Sequence, residues 1–229
     1  DAYVGLQRLA AAGILVRRRD GAFNFRHGLL RDSIYELVPE SNRALLHRAA
    51  YRLYETLEMP NDKRLPRYAL HAARSGEKES AATAYLTLAT NMLEAQAYLE
   101  AEAAFCNALD NLTTPDDERV IAAARGRGQA RFRLGRHEDA LKDLRRARVV
   151  SHTRGSTQHE VELLLEEAMV LDWNLETTTS AELVRTAASL TPEPRGLLAV
   201  QLAVAQARVH HRLREFEACL EIGARAAAQ

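Results

Sequence analysis

An all-α chain of stacked helical hairpins, preceded by a small β-hairpin, is the fold class that three observations predict. Of the 229 residues, 40 are Ala and 33 are Leu, about a third of the chain, while Gly numbers 11 and aromatics make up 6%. That composition favours helix. Prolines stand only at positions 39, 60, 66, 115, 192 and 194, and since Pro inside a helix costs about 3 kcal/mol, they mark joints between long helical spans. Within those spans apolar residues recur at helical spacing, as in Leu141, Leu144, Ala147 and Val150, or Ala199, Leu202, Ala203 and Val209.

Taken in order, Tyr3 to Ala12 reads as helix. Gly13-Ile14-Leu15-Val16-Arg17-Arg18-Arg19 then changes to a β-branched apolar run, Asp20-Gly21 is a hairpin turn, and Phe23-Asn24-Phe25-Arg26 alternates with period two. Helix returns through Leu29, Leu30, Ile34 and Leu37 until Pro39 closes it. A two-stranded hairpin is not stable alone, so this piece must lean on other structure. Further on, Thr114-Pro115-Asp116-Asp117 places a hydroxyl at an N-cap, Pro at the first helical position and acids in the first turn. Thr179-Ser180-Ala181-Glu182 reads as a capping box, and Thr191-Pro192-Glu193 repeats the first device.

The spans repeat one another. Ala89…Tyr98-Leu99-Glu100-Ala101…Phe105…Ala108 aligns with Gly128…Leu134-Gly135-Arg136-His137-Glu138-Asp139-Ala140…Leu144…Ala147, then with Ala168…Ala181…Val184…Ala188 and Ala207…Phe216…Cys219…Gly223…Ala226. The units start near residues 82, 121, 161 and 200, a period of 39 or 40. Small residues sit where two helices touch, and one larger apolar residue fills the gap to the next pair, so each pair buries its face only against a neighbour.

The stretch Gly128-x2-Arg131-x2-Leu134-Gly135-x4-Ala140-x3-Leu144-x2-Ala147 closely resembles the tetratricopeptide repeat, departing from it where an aromatic is usual at Arg131. A HEAT or armadillo array has a similar period, but the Leu134-Gly135-Arg136-His137 turn followed by Ala140 favours the tetratricopeptide reading. Residues 23–37, continuing through Arg43 to Arg48, look like the end of the winged-helix segment of large bacterial signal-transduction ATPases, some of them fused to a serine/threonine kinase. The two resemblances together imply a right-handed superhelix of tetratricopeptide-like hairpins behind a winged-helix remnant. The expected division is a winged-helix remnant over 1–40, a linker helix over 41–66 and repeats over 67–229. The units lie near 67–89, 82–115, 121–154, 161–191 and 200–229. The chain opens on Asp1 without a leader pattern, so it is expected to be a segment of a longer polypeptide.

Chemistry finds no foothold. There is no G-x-x-x-x-G-K-[ST] phosphate loop, His137-Glu138 and His159-Glu160 lack a second His at metalloprotease spacing, and Gly155-Ser156 lacks nucleophile-elbow flanks. Neither catalysis, nor a cofactor, nor a metal site is expected. Cys106 and Cys219 sit among apolar positions as small core residues and cannot make a disulfide framework. No apolar run approaches the roughly 18 residues a bilayer span needs, and a cytoplasmic protein is expected. Basic and acidic side chains balance at 31 each, which argues against a dedicated nucleic-acid binder. Arg17, Arg18 and Arg19 read as a solvated hairpin flank.

Charge is organised along the repeats: residues 121–150 hold nine Lys or Arg against three acids, whereas 155–184 hold seven acids and no Lys or Arg. Neighbouring units should therefore attract. The tetratricopeptide resemblance implies peptide binding along a concave wall made by the first helix of each pair. Counting from the repeat starts places Arg125, Gln129 and Arg133 on that wall, then Met169, Asp172 and Trp173, then Arg208, His211 and Arg212. Two basic patches would flank an aromatic and a thioether, suiting a segment with carboxylates and an apolar anchor. Trp173, the only tryptophan, has two readings, groove or core. His27, Arg31 and Asp32 form the expected interdomain contact. The expected partner is a protein or peptide, or the chain's own upstream ATPase or kinase domain, with no membrane and the oligomeric state open. The competing reading is a DNA-binding regulator in which the winged helix contacts a duplex and the repeats mediate oligomerisation.

Overall fold

The computed structural model describes all residues except Asp20, Asp116, Ala228 and Gln229. The expected turn residue Asp20, the first-turn acid Asp116 and the last two positions of the final repeat thus lie outside the described residues. The chain runs through α1 (Ala2–Ala11), β1 (Leu15–Arg17), β2 (Phe23–Phe25), α2 (Gly28–Leu37), α3 (Glu40–Thr56) and α4 (Asn61–Ser75). It continues through α5 (Lys78–Glu94), α6 (Tyr98–Asn111), α7 (Glu118–Arg133), α8 (His137–Thr153), α9 (Thr157–Trp173), α10 (Thr177–Leu190), α11 (Gly196–Arg212) and α12 (Phe216–Ala227). β1 and β2 pair antiparallel in the register Leu15↔Phe25, Val16↔Asn24 and Arg17↔Phe23. The fold is all-α, a right-handed superhelix of tetratricopeptide-like hairpins behind a small β-hairpin.

From α5 onward the hairpins are α5/α6, α7/α8, α9/α10 and α11/α12, each packed on the next. One backbone device closes all four. The last turn of the first helix ends in a left-handed residue, Gln96, Gly135, Leu175 or Arg214, with φ of 61°, 75°, 64° and 63°. The following N–H reaches back to a carbonyl five residues earlier, as from Ala97 to Met92, Arg136 to Arg131, Glu176 to Leu171 and Glu215 to His210. This is the Schellman closure, which satisfies carbonyls that a helix end leaves without partners. Gly76 and Gly155 close α4 and α8 the same way.

Between helices the contacts are made by alanine. Ala69, Ala72, Ala81, Ala89, Ala101, Ala123, Ala130, Ala140, Ala147 and Ala168 are wholly buried, and the larger Phe105, Leu144, Leu163 and Leu164 fill the spaces among them. At the closest approach a glycine is obligatory: a Cβ on Gly126 would stand 2.2 Å from Phe105 Cζ. One core runs from Ala69 to Leu171 and a second from Val161 to Val209.

Several expected boundaries move. The span 41–66 holds α3 and the start of α4, broken around Pro60, which stands at the N-cap of α4 as Pro39 does for α3. Pro66 lies inside α4 and marks no joint. Thr114 is not the cap of the helix that follows; Asp117 is the N-cap of α7, its carboxylate accepting from Arg119 N at 2.8 Å. Thr179, the cap of the expected capping box, lies inside α10, whose N-cap is Glu176, and the next residue, Ser180, is buried and donates its hydroxyl to the Ala168 carbonyl across the hairpin at 3.0 Å. Thr191 ends α10, and α11 starts only at Gly196 behind an extended Arg195. Both cysteines are half-buried free thiols rather than core residues, and Arg127 donates to Cys106 Sγ at 3.4 Å. Among the described residues no helix is long and apolar enough to cross a membrane.

Candidate functional site: the inner trough

The first helices of successive pairs form the inner layer, α5 meeting α7 and α9 meeting α11. Three hollows open along it. One of about 360 Å³ lies among Leu93, Tyr98, Phe132, Arg133, Glu166 and Met169. A second, of about 340 Å³, is bounded by Thr90, Leu93, Ala122, Arg125, Gly126 and Gln129. The third, about 330 Å³, lies among Arg125, Glu162, Glu166, Met169, Val204 and Arg208. Shared walls at Leu93, Arg125, Gln129, Glu166 and Met169 join them into a trough.

The mid-trough cations are already paired. Arg125 Nη1 donates to Glu162 at 2.6 Å, its Nη2 to Glu166 Oε1 at 2.7 Å, and Gln129 donates to that same oxygen at 3.0 Å. Burial works against charge on Arg125, but Glu166 and Glu162 outweigh it and hold its pKa up. Burial pushes the Glu166 carboxyl above its ordinary range despite Arg125 and Gln129. Both values move up, which favours charge on Arg125 and opposes it on Glu166; burial dominates at Glu166, and Glu162, a second counter-ion for Arg125, adds to it as a like charge. Arg208 pairs with the buried Asp172. Glu166 Oε2 and Asp172 Oδ1 are buried with no hydrogen bond among the described residues.

These pairs belong to a ladder across every repeat boundary from α5 to α11. Arg119 reaches back to Glu79 at 2.6 Å, and Arg131 and Arg136 both reach Glu102, at 2.8 and 2.6 Å. Arg148 reaches forward to Glu167 at 2.6 Å. The opposite signs of neighbouring units therefore serve largely as repeat-to-repeat attraction. Sequence reasoning placed Arg208 and Asp172 on the same wall without pairing them, and Glu162 and Glu166, the partners of Arg125, escaped it altogether. The signal for them was the acid-only stretch that follows the basic unit.

The trough's rim differs. Arg133, Trp173 and Arg212 are each the last residue of a first helix, so they occupy one structural position in three consecutive repeats. Arg133 and Arg212 are exposed and make no hydrogen bond or ion pair among the described residues. Trp173 is 64% exposed, its ring edge-on to Phe132 at 6.2 Å, so it is not a core residue. Met169 lines two of the hollows. His211 packs on Phe216 at 5.9 Å. His27, Arg31 and Asp32 are all exposed, and Arg31 pairs with its neighbour Asp32 at 2.7 Å. Among the described residues no group of three or more His, Cys, Asp or Glu could hold a metal.

A helical hairpin stack with an open inner trough defines a tetratricopeptide-like repeat domain, and the comparisons with solved structures bear this out. The chain resembles BtubC (BKLC) from P. vanneervenii, with a TM-score of 0.61 at 9% identity over 83% of this chain and 91% of that one. It also resembles a Podosopora anserina putative kinesin light chain with nearly identical TPR-like repeats. There the TM-score is 0.55 at 12% identity, covering 84% of this chain and 96% of that one. At such identities the likeness shows the fold alone. No family model matches the chain, and no curated protein does either.

Proposed function

We propose that this chain is a non-catalytic protein-interaction and sensor module that takes a protein or peptide segment into its inner trough. The observation that carries the reading is the exposed Trp173, edge-on to Phe132, which itself lines a partly apolar hollow, with the unpaired Arg133 and Arg212 at the same position of the neighbouring repeats. An exposed indole beside a concave, partly apolar wall has the chemistry of a binding hot spot. Two free cations beside it suit carboxylates on the incoming segment. Arg125, which sequence reasoning put first, serves the stack instead. The order of β-hairpin and repeats supports placing the module behind an ATPase or kinase domain of a bacterial signal-transduction regulator, where that domain is itself a candidate occupant. Binding would then favour one docking arrangement over another.

Peptides selected by display against the intact chain test the proposal. Trp173→Ala and Arg133→Glu should each weaken the selected peptide by about tenfold or more while leaving the thermal midpoint unchanged. Affinity that survives both changes would remove the trough as the binding site.

A further inference from the structure

Among the described residues the only buried histidine lies far from the trough, where α2 meets the stack. His47 of α3 is 8% exposed, and its Nδ1 stands 2.7 Å from Nδ1 of His71 on α4. Its Nε2 is 2.9 Å from the hydroxyl of Tyr35 on α2, and Arg74 of α4 donates to that hydroxyl at 3.2 Å. Tyr35 accepts from Arg74, and its hydroxyl can still donate to His47 Nε2 or accept from it. Across the ring pair one Nδ1 must carry a hydrogen and the other must be bare. One added proton leaves that bond in place, and a second abolishes it.

We propose that the His47–His71 pair is a pH-sensitive latch, holding α2 on the stack while at least one ring is neutral and releasing it when both are protonated. With both rings protonated, two N–H groups would face each other across 2.7 Å. The surroundings offer no compensation. From α2 come Tyr35 and Glu36; from α3 come Arg43, 5.1 Å from the Tyr35 ring centroid, and Tyr54, stacked on His71; from α4 comes Arg74, 5.5 Å from the same Tyr35 centroid. From α5, Tyr85 lies within the field of Arg74. The one carboxylate among them, Glu36, is exposed and is engaged by Arg43 at 3.4 Å. Two guanidinium groups thus already flank the tyrosine.

Burial makes both rings poorer bases than free imidazole, and Arg74 adds to this at each, as does His71 at His47. Because the folded pair binds protons less readily than the unfolded side chains, whose value is near 6.5, its contribution is full above that pH and lost as pH falls below it. The other links from α2 to the stack, Glu36 to Arg43 and Tyr35 to Arg74, are partly exposed and weak, since water screens such contacts.

Histidine side-chain and backbone amide NMR of the whole chain, titrated from about pH 7.5 to 5 across the imidazole range, test the latch. The α2 amides should hold until the second ring is protonated and then move together. In His71→Gln, whose amide oxygen accepts from His47 whether or not that ring is charged, the step should vanish from α2 although His47 still titrates. Should that variant not fold, Tyr35→Phe keeps the histidine pair and should uncouple α2 from its titration. Amides of α2 that stay put while the rings protonate, or that move alike in wild type and variant, would overturn the proposal.

Discussion

The segment before Asn61 and the stack that follows solve the burial problem differently. Among the described residues up to Pro60 only Leu15 and His47 are buried, while Leu29 and Leu37 are 84% and 82% exposed and Leu45, Leu46 and Leu53 are more than half exposed. From α4 onward alanines on facing helices are sealed completely, and the core passes from one hairpin to the next. The difference lies in spacing rather than hydrophobicity. Small residues let two helices approach until their backbones nearly touch, so a hairpin can close on its neighbours. The leucines of α2 and α3 meet no second layer among the described residues and stay in water.

That contrast predicts opposite outcomes for the same substitution. Gly126→Ala puts a methyl into the face of the buried Phe105 ring, where even Cβ would lie 2.2 Å from Cζ. It should cost about 1–3 kcal/mol, as overpacking does, seen as a lower denaturant midpoint with an unchanged slope. Gly5→Ala, in α1, meets nothing within 4 Å, and should stabilise that helix by about 0.5–1 kcal/mol through the backbone alone. Amide exchange across α1 would register the gain. Should both changes prove neutral, close packing would not be what separates the two regions.

The repeats are legible in the sequence because their signals are local. Period, small residues at the crossings and the Leu134-Gly135 turn all lie within one hairpin. The equivalent turns at Gln96, Leu175 and Arg214 carry no such signal, because each adopts the left-handed conformation without glycine. There the two helices being joined impose the closure on residues that do not favour it. Helix starts mislead for a related reason: Thr179 has the sequence of a cap yet lies inside α10, and its neighbour Ser180 faces the Ala168 carbonyl, which only the fold brings near. The trough is legible in position and less so in charge. Arg125 and Arg208 lie on the inner wall, but their partners sit 41, 37 and 36 positions away in Glu166, Glu162 and Asp172. Pairing at that range cannot be read from spacing along a single helix. Only the alternation of basic and acidic units hints at it.

Trp173, as the chain's single tryptophan, makes the trough directly observable. Its emission should begin at the long wavelength of a water-exposed indole and shift to shorter wavelength as a display-selected peptide saturates the protein, with Arg133→Glu moving the midpoint of the titration. Emission that stays unchanged at saturation would contradict the claim that the partner is taken along the inner wall.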